Sequence, residues 1–314
     1  MMKIIPLIQA VIFPLAALSV HGAEVSYDLQ NVNLTPTIHF TGTPGRAYSV
    51  MSSSDLTMPL YRKHWSMIQT GTIGVGDTVA QDPDATLFPR RFYVVTNSTI
   101  PKARILCLGD SITEGNSNMV VYKGPLYDKL VAAGYRFGYV GSRASSYTTP
   151  SGDTVSLKHE GYSGKNCTQV ASLFATSSAK YPADIVIIHS AHNLNIAGEV
   201  LDAAGEAAIV TTVETATRSM IQTARATNPK VRILLAKAIT SGKLPKYSYI
   251  PAVNTRIGEV AAELNTAAQP VIIVDQASGF DWTTDTTADR VHPNASGGEK
   301  MAQKFFAALV PLLE

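Results

Sequence analysis

Short apolar runs alternate with turn residues over the first third of the chain; beyond residue 102 they alternate with longer stretches of helical period. Thr37-Ile38-His39-Phe40, Ala47-Tyr48-Ser49-Val50 and Arg91-Phe92-Tyr93-Val94-Val95 read as strands. Thr43-Pro44-Gly45-Arg46 and residues 71–76 carry turn chemistry. No helical period persists, so residues 24–97 predict a small all-β sandwich, with 98–101 as a linker.

From residue 102 the pattern predicts strands at 104–108, 137–140, 185–189, 231–235 and 271–274. Between them lie predicted helices. Residues 122–133 end at Gly134, a C-cap signal, and 167–179 are stopped by Tyr181-Pro182. Residues 206–227 place Ile209, Val213, Met220 and Ile221 near one face; 250–264 carry Pro251 in the first turn; 295–313 close the chain. Alternating strands and helices make βαβ units, so residues 102–314 predict an α/β domain. Its form is a three-layer α/β/α sandwich on a mostly parallel five-stranded sheet.

Composition changes this picture little: 45% hydrophobic and 16% charged residues suit a packed protein, and 314 residues suit two domains. Lys and Arg total 26 against 24 acidic residues, so no strong field favours nucleic acid or an anionic membrane. Residues 1–23 read as a secretory signal: Met1-Met2-Lys3, an apolar 4–20, then Val20-His21-Gly22-Ala23 for cleavage after Gly22 or Ala23. Pro6, Gln9 and Pro14 interrupt the apolar stretch, which favours export over a membrane anchor and predicts a secreted or periplasmic protein. Export permits a disulfide between Cys107 and Cys167. Cys107 falls in a predicted buried strand, however, and two reduced buried thiols are the simpler reading.

The apolar run 104–108 enters Gly109-Asp110-Ser111, which puts Ser111 at the carboxyl edge of the sheet, where open α/β sheets build their sites. A serine is a nucleophile only beside a base. Asp289-Arg290-Val291-His292-Pro293-Asn294 offers one, with an Asp three residues before the His able to orient its ring. Read singly, Ser111 also fits a helix cap, and Asp289 and His292 fit the N-terminus of helix 295–313.

These blocks resemble the SGNH hydrolases, the GDSL-type esterase superfamily, and within it the family-three-like carbohydrate (acetylxylan) esterases. The resemblance spans about residues 102–313. It rests on Gly109-Asp110-Ser111-Ile112-Thr113-Glu114-Gly115, Ala133-Gly134-Tyr135-Arg136-Phe137-Gly138-Tyr139-Val140-Gly141-Ser142, His159-Glu160-Gly161-Tyr162-Ser163-Gly164 and the 289–294 block. It implies the SGNH fold and a Ser-His-Asp triad of Ser111, His292 and Asp289. The implied oxyanion donors are the Ser111 and Gly164 amides, with Gly161 as runner-up, and the Asn193 side chain. Asp110 and Glu114 are expected to hold amides at the helix start; Asp110, Tyr162 and His192 are candidate substrate contacts. Tyr162, Lys165 and Trp282 suit either the cleft or packing. The implied substrate is an O-acetyl ester of a polysaccharide or another small ester, with no cofactor and no metal. The β module resembles an accessory module of secreted bacterial enzymes through residues 42–50, 52–57 and 89–93, with a glycan ligand and a plain spacer both open.

The chain departs from the family at its third block, where Gly-x-Asn-Asp is replaced by Ala191-His192-Asn193-Leu194. Asn193 survives; the aspartate that would fix the loop does not. His192 reads equally as a site residue or as a histidine satisfied by backbone groups. His159, His189 and His192 are ligand types for zinc, but their spacing has no helical HExxH pattern. The glycines at 71–76 precede no helix, so they make no phosphate loop. Sequons at Asn33, Asn97, Asn166 and Asn294 read as chance occurrences. Two alternatives to the acetylesterase stay open: a lipase or thioesterase of the same superfamily, and a carbohydrate-binding protein on a decayed hydrolase scaffold.

Overall fold

The computed structural model describes residues 10–12, 20–28, 33–96, 102–116 and 121–314. The expected linker, 98–101, lies outside them, as does most of the expected signal segment. The chain divides into two compact units, one ending at Lys102 and taking in Leu313 and Glu314, the other running Ala103–Leu312.

The first unit holds β1 (Ala10–Ile12), β2 (Val20–Asp28), β3 (Asn33–Gly42), β4 (Ala47–Ser53), β5 (Ser66–Thr72), β6 (Thr78–Gln81) and β7 (Arg91–Thr96). They form two sheets, β1-β7-β4-β5 and β2-β3-β6. Ile38, Phe40, Tyr48, Val50, Tyr93 and Val95 form a core cluster between them. Cleavage after Gly22 would leave the β2–β3 pairs from Ala23↔Phe40 to Asp28↔Asn33, and cleavage after Ala23 those from Glu24↔His39.

The second unit runs β8 (Ala103–Gly109), α1 (Ser111–Glu114), α2 (Lys123–Ala132), β9 (Phe137–Val140), β10 (Arg143–Thr148), β11 (Thr154–Gly161) and α3 (Cys167–Ser177). It continues through β12 (Ile185–His189), α4 (Ala203–Thr227), β13 (Arg232–Ala236), α5 (Ile250–Leu264), β14 (Val271–Val274), α6 (Trp282–Asp285) and α7 (Ala295–Leu313). The five predicted strands are the parallel core, in the order β9-β8-β12-β13-β14. Strand order reverses at β8, so the crevice between the ends of β8 and β12 is the switch point at which such sheets bind ligands.

Both faces of β8 are buried, which is why its sequence is a continuous apolar run. Leu106 and Leu108 join Val186, Ile188, Ile233 and Leu235 beneath Cys167 and Phe174 of α3, Met220 of α4 and Ile257 of α5. Ile105 and Cys107 point to the other face, where Tyr122 packs 4.7 Å from Phe305 of α7. Cys107 and Cys167 therefore sit on opposite faces of one sheet, both buried as free thiols. Among the described residues no helix is long and apolar enough to cross a membrane.

The sheet has seven strands rather than five, because β10 and β11 add an antiparallel hairpin. β10 is polar and largely exposed, so no period-2 apolar signal marks it. The end of β11 pairs Glu160 and Gly161 with Leu108 and Gly109, which carries the second motif block to the strand that leads into Ser111. α4 starts at Ala203, earlier than expected, because Asp202 Oδ1 accepts the Gly205 amide at 2.7 Å.

Candidate active site

Ser111 opens α1 at the carboxyl end of β8. Gly109 permits the exit: a Cβ there would collide with the His189 carbonyl and the Thr113 side chain. Asp110 caps α1, its Oδ1 accepting the Ile112 amide at 3.0 Å. Two further groups pin the helix from its far end. The buried Lys123 ammonium donates to the Glu114 carbonyl (3.0 Å), the Thr113 carbonyl (2.5 Å) and Ser145 Oγ (3.3 Å). Burial pushes that ammonium down to about 8. Glu114 itself closes α1 rather than serving its N-terminus, a correction to the expectation. Its carboxylate accepts the Ser163 amide and pairs with Arg143.

His292 comes from the loop between α6 and α7. Thr286 bridges to Pro293, the Thr287 amide donates to the His292 carbonyl (2.8 Å), and Arg290 turns the chain at φ 62°. Asp289 organises this turn. Its Oδ1 accepts from the Val291 amide (2.9 Å), the His292 amide (3.0 Å) and Thr287 Oγ1 (2.9 Å), while Oδ2 meets His292 Nδ1 at 2.5 Å. Burial opposes ionisation of Asp289, but the His292 ring, the two amides and the hydroxyl outweigh it and hold the carboxyl well below the usual range. With Nδ1 engaged, Nε2 faces Ser111 Oγ at 2.8 Å. The N-cap of α7 is Asn294, whose Oδ1 accepts the Gly297 amide, so Asp289 and His292 are not the helix cap. Asn166 likewise caps α3 in a capping box with Gln169, which accounts for asparagine at both positions.

The second and third blocks adjoin this centre. The Tyr162 amide donates to the Gly109 carbonyl at 2.9 Å, and Gly164 turns at φ 73° with nothing within 4 Å of where a Cβ would stand. Asn193 also holds a left-handed backbone (φ 65°), and its Nδ2 donates to the Lys165 carbonyl at 3.1 Å. The Gly164 turn and the Asn193 side chain are thus tied together. Tyr247 OH meets Asn193 Oδ1 at 3.4 Å. Leu194, standing where the family has aspartate, packs against the core cluster, and its amide faces Tyr249 OH at 3.4 Å.

Burial corrects the expected substrate contacts. Asp110 and His192 are 0% and 1% exposed, behind Ser111, and present no surface to a substrate. Tyr162 is half-buried, with its hydroxyl donating to Glu160 and its ring 5.5 Å from the Arg143 guanidinium. His159 does not join the other histidines: its Nε2 meets Ser145 Oγ at 3.0 Å and its Nδ1 accepts the Gly161 amide. Lys123 was not foreseen, since a lysine beside a helix start reads as solvated. Trp282 lines an open cleft of about 810 Å³ with Ser241, Leu244 and Tyr247. Ser241 Oγ donates to the Arg290 carbonyl (2.9 Å) and Tyr247 OH meets Asn193, but Ser111, Gly164, Asn193 and His292 are not among the residues that line this cleft.

Known proteins resemble the chain in this unit. A carbohydrate esterase family 3 structure from Talaromyces cellulolyticus is 25% identical, with a TM-score of 0.57 over 67% of this chain and 98% of its own. A family 3 carbohydrate esterase from Clostridium thermocellum is 25% identical, with a TM-score of 0.55 over 68% of this chain and 98% of its own. No curated protein matches the chain in sequence. The family model of the GDSL-like lipases and acylhydrolases matches residues 107–300, from β8 through the His292 turn into α7. The chain is a hydrolase belonging to the GDSL-like Lipase/Acylhydrolase family.

Proposed function

We propose that the chain is a secreted serine esterase that removes short acyl groups, acetyl foremost, from esterified polysaccharide. The observation that carries the chemistry is the continuous contact from Ser111 Oγ through His292 to Asp289, 2.8 and 2.5 Å.

Ser111 Oγ attacks the ester carbonyl while His292 Nε2 takes its proton, and Asp289 stabilises the resulting imidazolium. The Ser111 and Gly164 amides, neither of which donates to another described residue, and the second Asn193 Nδ2 hydrogen receive the oxyanion. Collapse breaks the C–O bond, His292 returns the proton to the leaving alcohol, and the acyl group stays on Ser111. Water then attacks the acyl carbonyl with His292 again as base, releasing the acid and restoring Ser111.

One consideration supports the substrate: the similar structures from Talaromyces and Clostridium are carbohydrate esterases. Export rests on residues 1–23 of the sequence. A nitrophenyl ester series of increasing acyl length, run beside acetylated xylan, tests the assignment. Acetate release from both, with kcat/KM falling as the acyl chain grows, is expected. Preference for long acyl chains indicates a lipase or thioesterase, and glycan binding without turnover a decayed scaffold. The mature N-terminus of the secreted protein is expected at Ala23 or Glu24.

A further inference from the structure

Behind Ser111, three buried polar side chains meet with five of their six polar atoms unpaired. Asp110, His189 and His192 are 0%, 0% and 1% exposed, and one ligand atom from each lies within 4.8 Å of the others. Asp110 Oδ2 stands 3.7 Å from His192 Nδ1, and the two imidazoles stack at 5.8 Å between centroids. Asp110 Oδ2 and all four ring nitrogens find no hydrogen-bond partner among the described residues. Five buried polar atoms without partners leave their desolvation uncompensated. Natural interiors seldom tolerate such a cluster without a ligand.

We propose that Asp110, His189 and His192 form a closed binding site for a divalent transition metal of the zinc class. One carboxylate and two neutral imidazoles are a donor set that suits zinc. Two ligands at about 2.0–2.2 Å from a shared ion stand up to roughly 4 Å apart, so the 3.7 Å pair already fits and the widest pair closes by small side-chain rotations. Three protein donors leave the fourth tetrahedral position to a water molecule, and enclosure keeps substrate from it, so the ion acts structurally. It would join the end of β8, one residue before Ser111, to the segment after β12 that carries Asn193. That is the segment where Leu194 has replaced the family's loop-fixing aspartate. The site is independent of the esterase reading, since no step of the acyl transfer passes through it.

The test is metal content and affinity of untagged, chelator-stripped protein titrated with Zn2+ alone. One equivalent bound by the wild type and retained in His292→Ala, with affinity at least about 100-fold lower in His192→Gln, is the expected result. No stoichiometric binding, or loss of binding in His292→Ala rather than His192→Gln, overturns the proposal. Should His192→Gln fail to fold, X-ray absorption of the wild-type zinc form decides. Two imidazoles around the ion support the site; one imidazole or none contradicts it.

Discussion

Asp289 holds His292 twice: one carboxylate oxygen accepts the histidine's own amide at 3.0 Å and the other meets its ring Nδ1 at 2.5 Å. Backbone and ring are therefore fixed by one side chain, and the ring keeps the tautomer that leaves Nε2 free to accept from Ser111. Asp289→Asn retains the shape but offers an N–H to one of these groups. Its kcat is expected to fall by roughly 10⁴, with KM little changed. A loss under tenfold at neutral pH would contradict the assigned role.

The carboxyl of Asp289 ionises more readily folded than unfolded, so its contribution to stability is complete above the ordinary carboxylate range and is lost as pH falls below it. Thermal melts of wild type and Asp289→Asn are expected to differ most near neutral pH and to converge in acid. Curves that stay parallel would show that the turn does not depend on the charge.

Asn193 is expected to act through its side-chain N–H. Asn193→Ala and Asn193→Gly should both lose about 10²–10³ in kcat. The glycine variant separates side chain from backbone, because it accepts the φ of 65° without strain. Full activity in Asn193→Gly would remove Asn193 from the oxyanion site.

Much of this arrangement was legible in the chain. The apolar run ending at Gly109 marks a central strand, and Asp289-x-x-His292 in the turn before the last helix marks its partner, because these short blocks carry their own turn and cap chemistry. The hairpin β10–β11 was not legible, since its residues 143–148 face solvent and need no apolar alternation. Glu114 was misplaced because a first-turn acid ordinarily serves the N-terminus, whereas α1 is so short that its fourth residue is also its last. His192 was ambiguous by sequence, because only burial separates a residue behind the nucleophile from one beside it.

Gly109 has no room for a side chain between the His189 carbonyl and Thr113. Gly109→Ala is expected to cost about 1–3 kcal/mol in denaturant unfolding and to lower kcat by displacing Ser111. An active variant of unchanged stability would mean that β8 and β12 separate freely at this point.

Lys123 loses its proton near pH 8 when folded, against 10.5 as its ordinary value. Unfolding therefore takes up a proton between those values, and stability rises with pH across the window. Relative to Lys123→Met, wild type is expected to gain at most about 3 kcal/mol between pH 8 and 10.5. A difference that is flat or falls with pH would show that the ammonium is not desolvated beneath α1.

The central claim is that Ser111 is the nucleophile that His292 deprotonates. Hydrolysis of nitrophenyl acetate by wild type and by Ser111→Ala, each confirmed folded by its melting transition, tests it most directly. The account predicts ready turnover by the wild type and a fall of at least about 10³ in kcat for the variant. Equal rates from the two proteins would contradict it.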